Sequence, residues 1–180
     1  MGSNCAKGMS TLYIRNIAKL TRILLDVPND KFLDVVKALD VLTDKLAKHN
    51  FNYMVLPDND PLFEKKEEGK TDVLVGTIYI KESVFNEAAR KKYCRAHYTI
   101  AHEIGHFILH RALNTLNFAR TSETGSYKAY EDPEWQADTF ASELLMPYEQ
   151  CLELSPQEIR RKYHVSKAAA NTRYRKMHKQ

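Results

Sequence analysis

The sequence predicts a single α+β domain with a small β-sheet, a helix carrying a metal-binding motif, and a C-terminal helical subdomain resembling a helix-turn-helix. Three observations predict it. Residues 101–110 read AHEIGHFILH, a His-Glu-x-x-His motif beside an apolar stripe (Ile100, Ile104, Phe107, Ile108) at helical spacing. Residues 131–147 read EDPEWQADTFASELLMP, a second helix with its own start and stop signals. Between residues 51 and 80, β-branched and aromatic runs alternate with turn residues, as strands do.

Each element has a local reason. Residues 1–10, MGSNCAKGMS, read as a loose, disordered leader. Two helices are expected over 11–25 and 30–49, separated by Pro28. In the second, Phe32, Val35, Val36, Leu39, Leu42 and Leu46 form one stripe. Phe51–Leu56 reads as a strand, and 57–70 as a charged, turn-rich loop. Val73–Ile80 is β-rich, with Gly76 marking a turn or bulge. From Asn86 to about Leu113 the pattern is helical. Residues 114–132 are polar and form a long connection of the kind that often serves as a lid. Asp132 and Pro133 then supply an N-cap and a first-turn proline, and Pro147 limits the helix they open. Ser155-Pro156-Gln157-Glu158 is a capping box, followed by a turn and a last helix. The organisation is therefore a leader (1–10), a main domain (11–154) and a basic helical subdomain packed on it (155–180).

The His-Glu-x-x-His motif names a chemistry. His102 and His106, four apart, share a helix face and can bind one ion. Imidazole nitrogen suits Zn²⁺, and two such ligands leave room for a third and a water. Glu103, next to the first ligand, is placed to act as general base on that water. On the second helix Glu134 and Asp138 are also four apart and share a face. Glu134 can complete a His₂Glu set, and Asp138 can orient a ligand ring, most readily His102, through its free N–H. His110 is excluded as a ligand, because it lies ~12 Å along the helix axis from His102. The metzincin extension needs Gly and His where this chain has Leu109 and Ala112. These points favour a zincin-like domain of the glutamate-ligand type with one Zn²⁺ per chain. An oxyanion-stabilising side chain is also expected, with Tyr127, Tyr130 and His97 as candidates.

The segment HYTIAHEIGHFILH followed by EDPEWQADTFASELLMP resembles the ImmA/IrrE family of bacterial and phage metallopeptidases. The resemblance covers roughly residues 50–178. It implies His102, His106 and Glu134 as zinc ligands and Glu103 as catalytic base. It also implies a protein substrate, a helix-turn-helix repressor or antitoxin whose cleavage derepresses transcription. Many family members carry Arg at the position of His97 and Asn at that of Asp138.

Composition sets bounds. At 180 residues, 43% hydrophobic and 28% charged, the chain can bury a sizeable core without staples. No run of 18 apolar residues and no signal-peptide pattern is present. Cys5, Cys94 and Cys151 are odd in number and widely spread, which argues against a disulfide framework and for the cytoplasm. Cys94 reads as a small core residue.

The C-terminus carries a competing reading. From Ile159 to Gln180 there are eight Lys or Arg and no acid, within a chain of net charge +4. Such a tail can contact phosphates, or it can cover the core and dock a protein substrate through Arg173, Arg175 and Lys176. Two alternatives to a peptidase follow: a DNA-binding regulator with a structural zinc, or a module that binds a repressor without cutting it. Glu103 speaks against the first, since a structural zinc site needs no base. The tail is expected to give only weak, salt-sensitive and sequence-independent DNA association.

Overall fold

The computed structural model describes residues 5–90, 95–112, 116–117 and 128–178. Two short strands, β1 (Cys5–Ala6) and β5 (Leu116–Asn117), pair antiparallel. Residues 5–10 therefore differ from the expected leader. Ala6 and Met9 are buried, Met9 N donates to the Tyr130 carbonyl at 2.9 Å, and Gln136 Nε2 donates to that of Lys7 at 2.9 Å. Small and apolar side chains at positions 6 and 9 fill space against the domain, which composition alone does not reveal.

Helix α1 (Thr11–Leu24) begins where the Ser10 hydroxyl accepts from Tyr13 N. Helix α2 (Val35–Lys45) begins at an Asp34 cap and runs into a 3₁₀ turn, Ala47–His49. The sequence pattern extends this helix back to residue 30, but Arg22 prevents it. Its buried guanidinium donates to the carbonyls of Pro28, Lys31 and Leu144, each at 2.6 Å. Those contacts hold residues 28–34 as an irregular wrap around a charge that burial would otherwise make very costly.

The main sheet has three strands in the order β2 (Asn52–Leu56), β4 (Thr77–Lys81), β3 (Gly69–Asp72). β4 is parallel to β2 and antiparallel to β3, and buries Ile78 and Ile80. The β-rich stretch expected at 73–80 is divided. Residues 73–76 form the turn of the β3–β4 hairpin, and pairing starts earlier, at Gly69. Asp72 Oδ1 accepts from Leu74 N and Val75 N at 2.9 Å, which bends the chain locally. Gly76 closes the turn at φ +92°, and a Cβ there would lie 2.5 Å from the Asn50 carbonyl oxygen.

The helical stretch expected from Asn86 contains two helices, α3 (Glu82–Ala89) and α4 (Arg95–His106), and α4 continues as a π-helical segment, Phe107–Ala112. Cys94 lies outside the described residues. Helix α5 (Pro133–Leu145) is capped as its sequence predicts, with Asp132 Oδ1 accepting from Glu134 N at 2.9 Å. It packs along α4 on one side and α1 on another. Ile14, Leu39, Ile100, Ile104, Phe107, Phe140 and Leu144 share one buried cluster. Gly105 lets α4 approach α5, because a Cβ there would meet the Phe140 ring at 3.0 Å and the Ala137 carbonyl oxygen at 3.2 Å. No helix among the described residues is long and apolar enough to cross a membrane.

The chain ends in α6 (Tyr148–Cys151), α7 (Pro156–Tyr163) and α8 (Lys167–Met177). The Ser155–Glu158 capping box forms, and a left-handed His164 turns α7 into α8. Ile159, Tyr163, Val165 and Ala170 join the same core cluster. One of the tail cations is not free to meet a phosphate. Arg173 is 4% exposed and forms a bidentate pair with Glu143 on α5, at 2.9 and 2.7 Å, while Arg15 of α1 reaches the same carboxylate at 3.2 Å. Three helices are thus tied at one buried charge. Arg173→Ala is expected to cost on the order of 3 kcal/mol, since it strips a buried carboxylate of its shortest partners. Urea unfolding of Arg173→Ala beside the exposed control Arg175→Ala checks this, and equal stabilities would refute it.

Candidate metal centre

Helices α4 and α5 lie side by side, so the polar faces at their adjoining ends meet. Helical spacing brings His102 and His106 together, with their Nε2 atoms 2.9 Å apart. Glu134, in the first turn of α5, directs Oε2 to within 3.2 Å of His102 Nε2 and Oε1 to within 3.4 Å of His106 Nε2. One ligand atom from each of the three residues lies within 4.8 Å of the others. Two imidazoles and one carboxylate converging on a common point make a donor set that fits a four-coordinate ion with one position open. The arrangement can hold a metal.

The surroundings favour positive charge at this point. Burial disfavours a charged His102 ring, but its hydrogen bonds to Asp138 and Glu134 outweigh that and push its pKa up to about 10. The two histidines in turn hold the Glu134 carboxyl well below the usual carboxylate range. The same convergence of donors that raises His102 is the one a cation would satisfy, and ligand histidines bind metal in their neutral form.

Asp138 Oδ1 lies 2.9 Å from His102 Nδ1, the geometry of a carboxylate that fixes ring orientation. The Tyr98 hydroxyl donates to the Asp138 carbonyl oxygen at 2.9 Å and meets its Oδ1 at 3.4 Å. Asp138→Ala is expected to weaken metal binding by ~10–100-fold without abolishing it, and Asp138→Asn by less. A competitive metal titration checks this, and unchanged affinity in Asp138→Ala would remove the orienting bond.

Glu103, one residue past His102 on α4, faces β3 rather than solvent. It is 7% exposed, and the Thr71 hydroxyl lies 2.6 Å from its Oε2. These groups line a cleft of about 470 Å³ bounded by Glu67, Gly69, Thr71, His106, His110 and Glu134, among others.

The other sequence candidates fall elsewhere. His97 does not reach the cleft. Five residues ahead of His102, it is turned to the far side of α4, where its Nε2 lies 3.1 Å from the Ala88 carbonyl oxygen and its ring packs on Phe32. Tyr130 does not line the cleft either; it lies against Gly8, where a Cβ would come within 2.8 Å of its ring. Tyr127 is outside the described residues. The cleft is also lined by residues that local sequence pattern does not mark for catalysis, His110 and Thr71 among them. The His110 ring is 5.4 Å from that of His106, and burial, then the charge of His106, push its pKa down to about 4. Thr71 had no local signal at all, since its partner is 32 positions away.

Residues 89–175 match the family model described as the IrrE N-terminal-like domain, Peptidase_M78. No curated protein matches the chain at a significant level. The matched segment spans both helices that supply the donor set, and the model it matches describes a peptidase family, whose members act on proteins or peptides.

Proposed function

We propose, from a chain whose residues 89–175 match the IrrE N-terminal-like peptidase model, that it is a zinc-dependent endopeptidase of cytoplasmic regulation. Its target is a helix-turn-helix repressor or antitoxin, as in the phage and toxin–antitoxin settings of the ImmA/IrrE resemblance. One observation carries the reading: two imidazoles and a carboxylate converge in a cleft beside a buried glutamate that is not among them. A structural zinc site needs no such glutamate.

Zinc, held by His102, His106 and Glu134, would polarise the scissile carbonyl and acidify a water in the cleft. Glu103 takes the proton of that water as it attacks, then returns it to the leaving amine. Asp138 keeps the His102 ring in register during these steps. β3 is an edge strand that lines the cleft, so an extended peptide can add to it through backbone hydrogen bonds. Arg173, paired with Glu143 and buried, is one tail cation that reaches neither a phosphate nor a docked substrate.

The test is direct. Metal analysis of the full chain is expected to give about one zinc per chain, as for a three-ligand site. Incubation with the helix-turn-helix regulator encoded beside it is expected to yield discrete fragments, absent with a chelator. An intact regulator, together with tight and operator-selective DNA binding at physiological salt, would replace this reading with that of a DNA-binding regulator.

A further inference from the structure

Two positions on β3 address Glu103, and neither belongs to the metal motif. Thr71 Oγ1 lies 2.6 Å from Glu103 Oε2 and 3.0 Å from the Glu103 carbonyl oxygen. A hydroxyl has one proton to give. The shorter contact falls in the range of a charge-assisted O–H···O⁻ bond, so the proton goes to the carboxylate. That bond occupies Oε2.

Gly69 lies two residues earlier, on the same face of the strand. A Cβ built there would sit 3.0 Å from Glu103 Cγ and 3.5 Å from Oε1. The Gly69 backbone is not in the left-handed region, so its conformation does not call for glycine; the close approach of Glu103 does. The hairpin carrying both residues is pinned to the segment that continues α4. Arg111 donates to the carbonyls of His49 at 2.8 Å and Val73 at 2.7 Å, and also to that of Leu74.

We infer that Gly69 and Thr71 are positioning residues for Glu103: the Thr71 hydroxyl holds one carboxylate oxygen, and the bare Gly69 makes room for the Glu103 Cγ, so that the side chain keeps this placement beside the cleft. The inference rests on the reading of Glu103 as the base. It also means that the strand to which an extended substrate adds is the strand that aligns the base.

The test uses the full-length, zinc-loaded chain with a single cleaved peptide, selected from a proteome-derived library, as substrate. Thr71→Val is close to isosteric and removes only the hydroxyl. It is expected to lower kcat by ~10–100-fold, part of what a general base contributes, with KM and zinc content unchanged. Thr71→Ser is expected to recover most of the loss, and Gly69→Ala to lower kcat by crowding Glu103. A second readout needs neither metal nor activity. In the metal-free chain, Thr71→Val is expected to lower the melting temperature by several degrees, and to lose that effect in a Glu103→Ala background. If Thr71→Val does not fold, Gly69→Ala carries the kinetic arm. Wild-type kcat in Thr71→Val or in Gly69→Ala, with Glu103→Gln inactive, overturns this inference alone. Equal cleavage by Glu103→Gln and wild type overturns the reading of Glu103 and this inference with it.

Discussion

A Glu103→Gln chain is expected to keep its full complement of metal and lose peptide cleavage by about 10²–10⁴-fold, the usual contribution of a positioned base. The amide is nearly the size of the carboxylate. Its oxygen can still accept from Thr71, 2.6 Å away in the native geometry, so the side chain stays in place. It is not one of the three converging donors, so the ion has no reason to leave. The amide cannot take a proton from water. Measuring metal content and cleavage on the same preparation separates the outcomes. Cleavage at the wild-type rate would remove Glu103 from the chemistry, and loss of metal would make it a ligand.

The second large effect is on stability. His102 and His106 belong to α4 and Glu134 to α5, so an ion they share cross-links two helices that otherwise meet through side-chain packing. At metal concentrations ~1,000 times its dissociation constant, a bound ion adds about 4 kcal/mol, or roughly 10 °C in melting temperature for a chain of this size. A chelator is therefore expected to lower the wild-type melting temperature by that order. It is expected to leave the double variant His102→Ala, His106→Ala unchanged. Stoichiometric metal in that variant would refute the ligand assignment.

Local pattern encodes much of this chain's architecture, and its reach has a clear limit. The helical stripe through Ile100, Ile104 and Phe107 is buried, and the histidines it carries face the cleft. Asp132 caps α5, Gly76 turns the hairpin, and Ser155 and Glu158 form their box. Each of these rests on residues a few positions apart, whose spacing alone sets which face or turn they occupy. Helix starts proved less legible where a distant group intervened. Residues 30–34 have a helical pattern, yet the guanidinium of Arg22 claims the carbonyls around them. His97 had the residue type of an oxyanion stabiliser, but its position on the helix turns it into the core.

What the sequence by itself determined is the donor chemistry and its two carriers: a His-Glu-x-x-His helix and a capped helix with Glu134 and Asp138 on one face. Tertiary structure alone decided that these faces meet, with Glu134 within 3.4 Å of both histidines and Asp138 within 2.9 Å of His102. It alone laid β3 against Glu103, and tied Arg173 and Arg15 to Glu143. The physical reason is range. Periodicity and capping act within one or two helical turns, so neighbouring residues encode them. Contacts between residues 30 to 130 positions apart depend on how whole elements pack, and no short pattern records which elements will share a face.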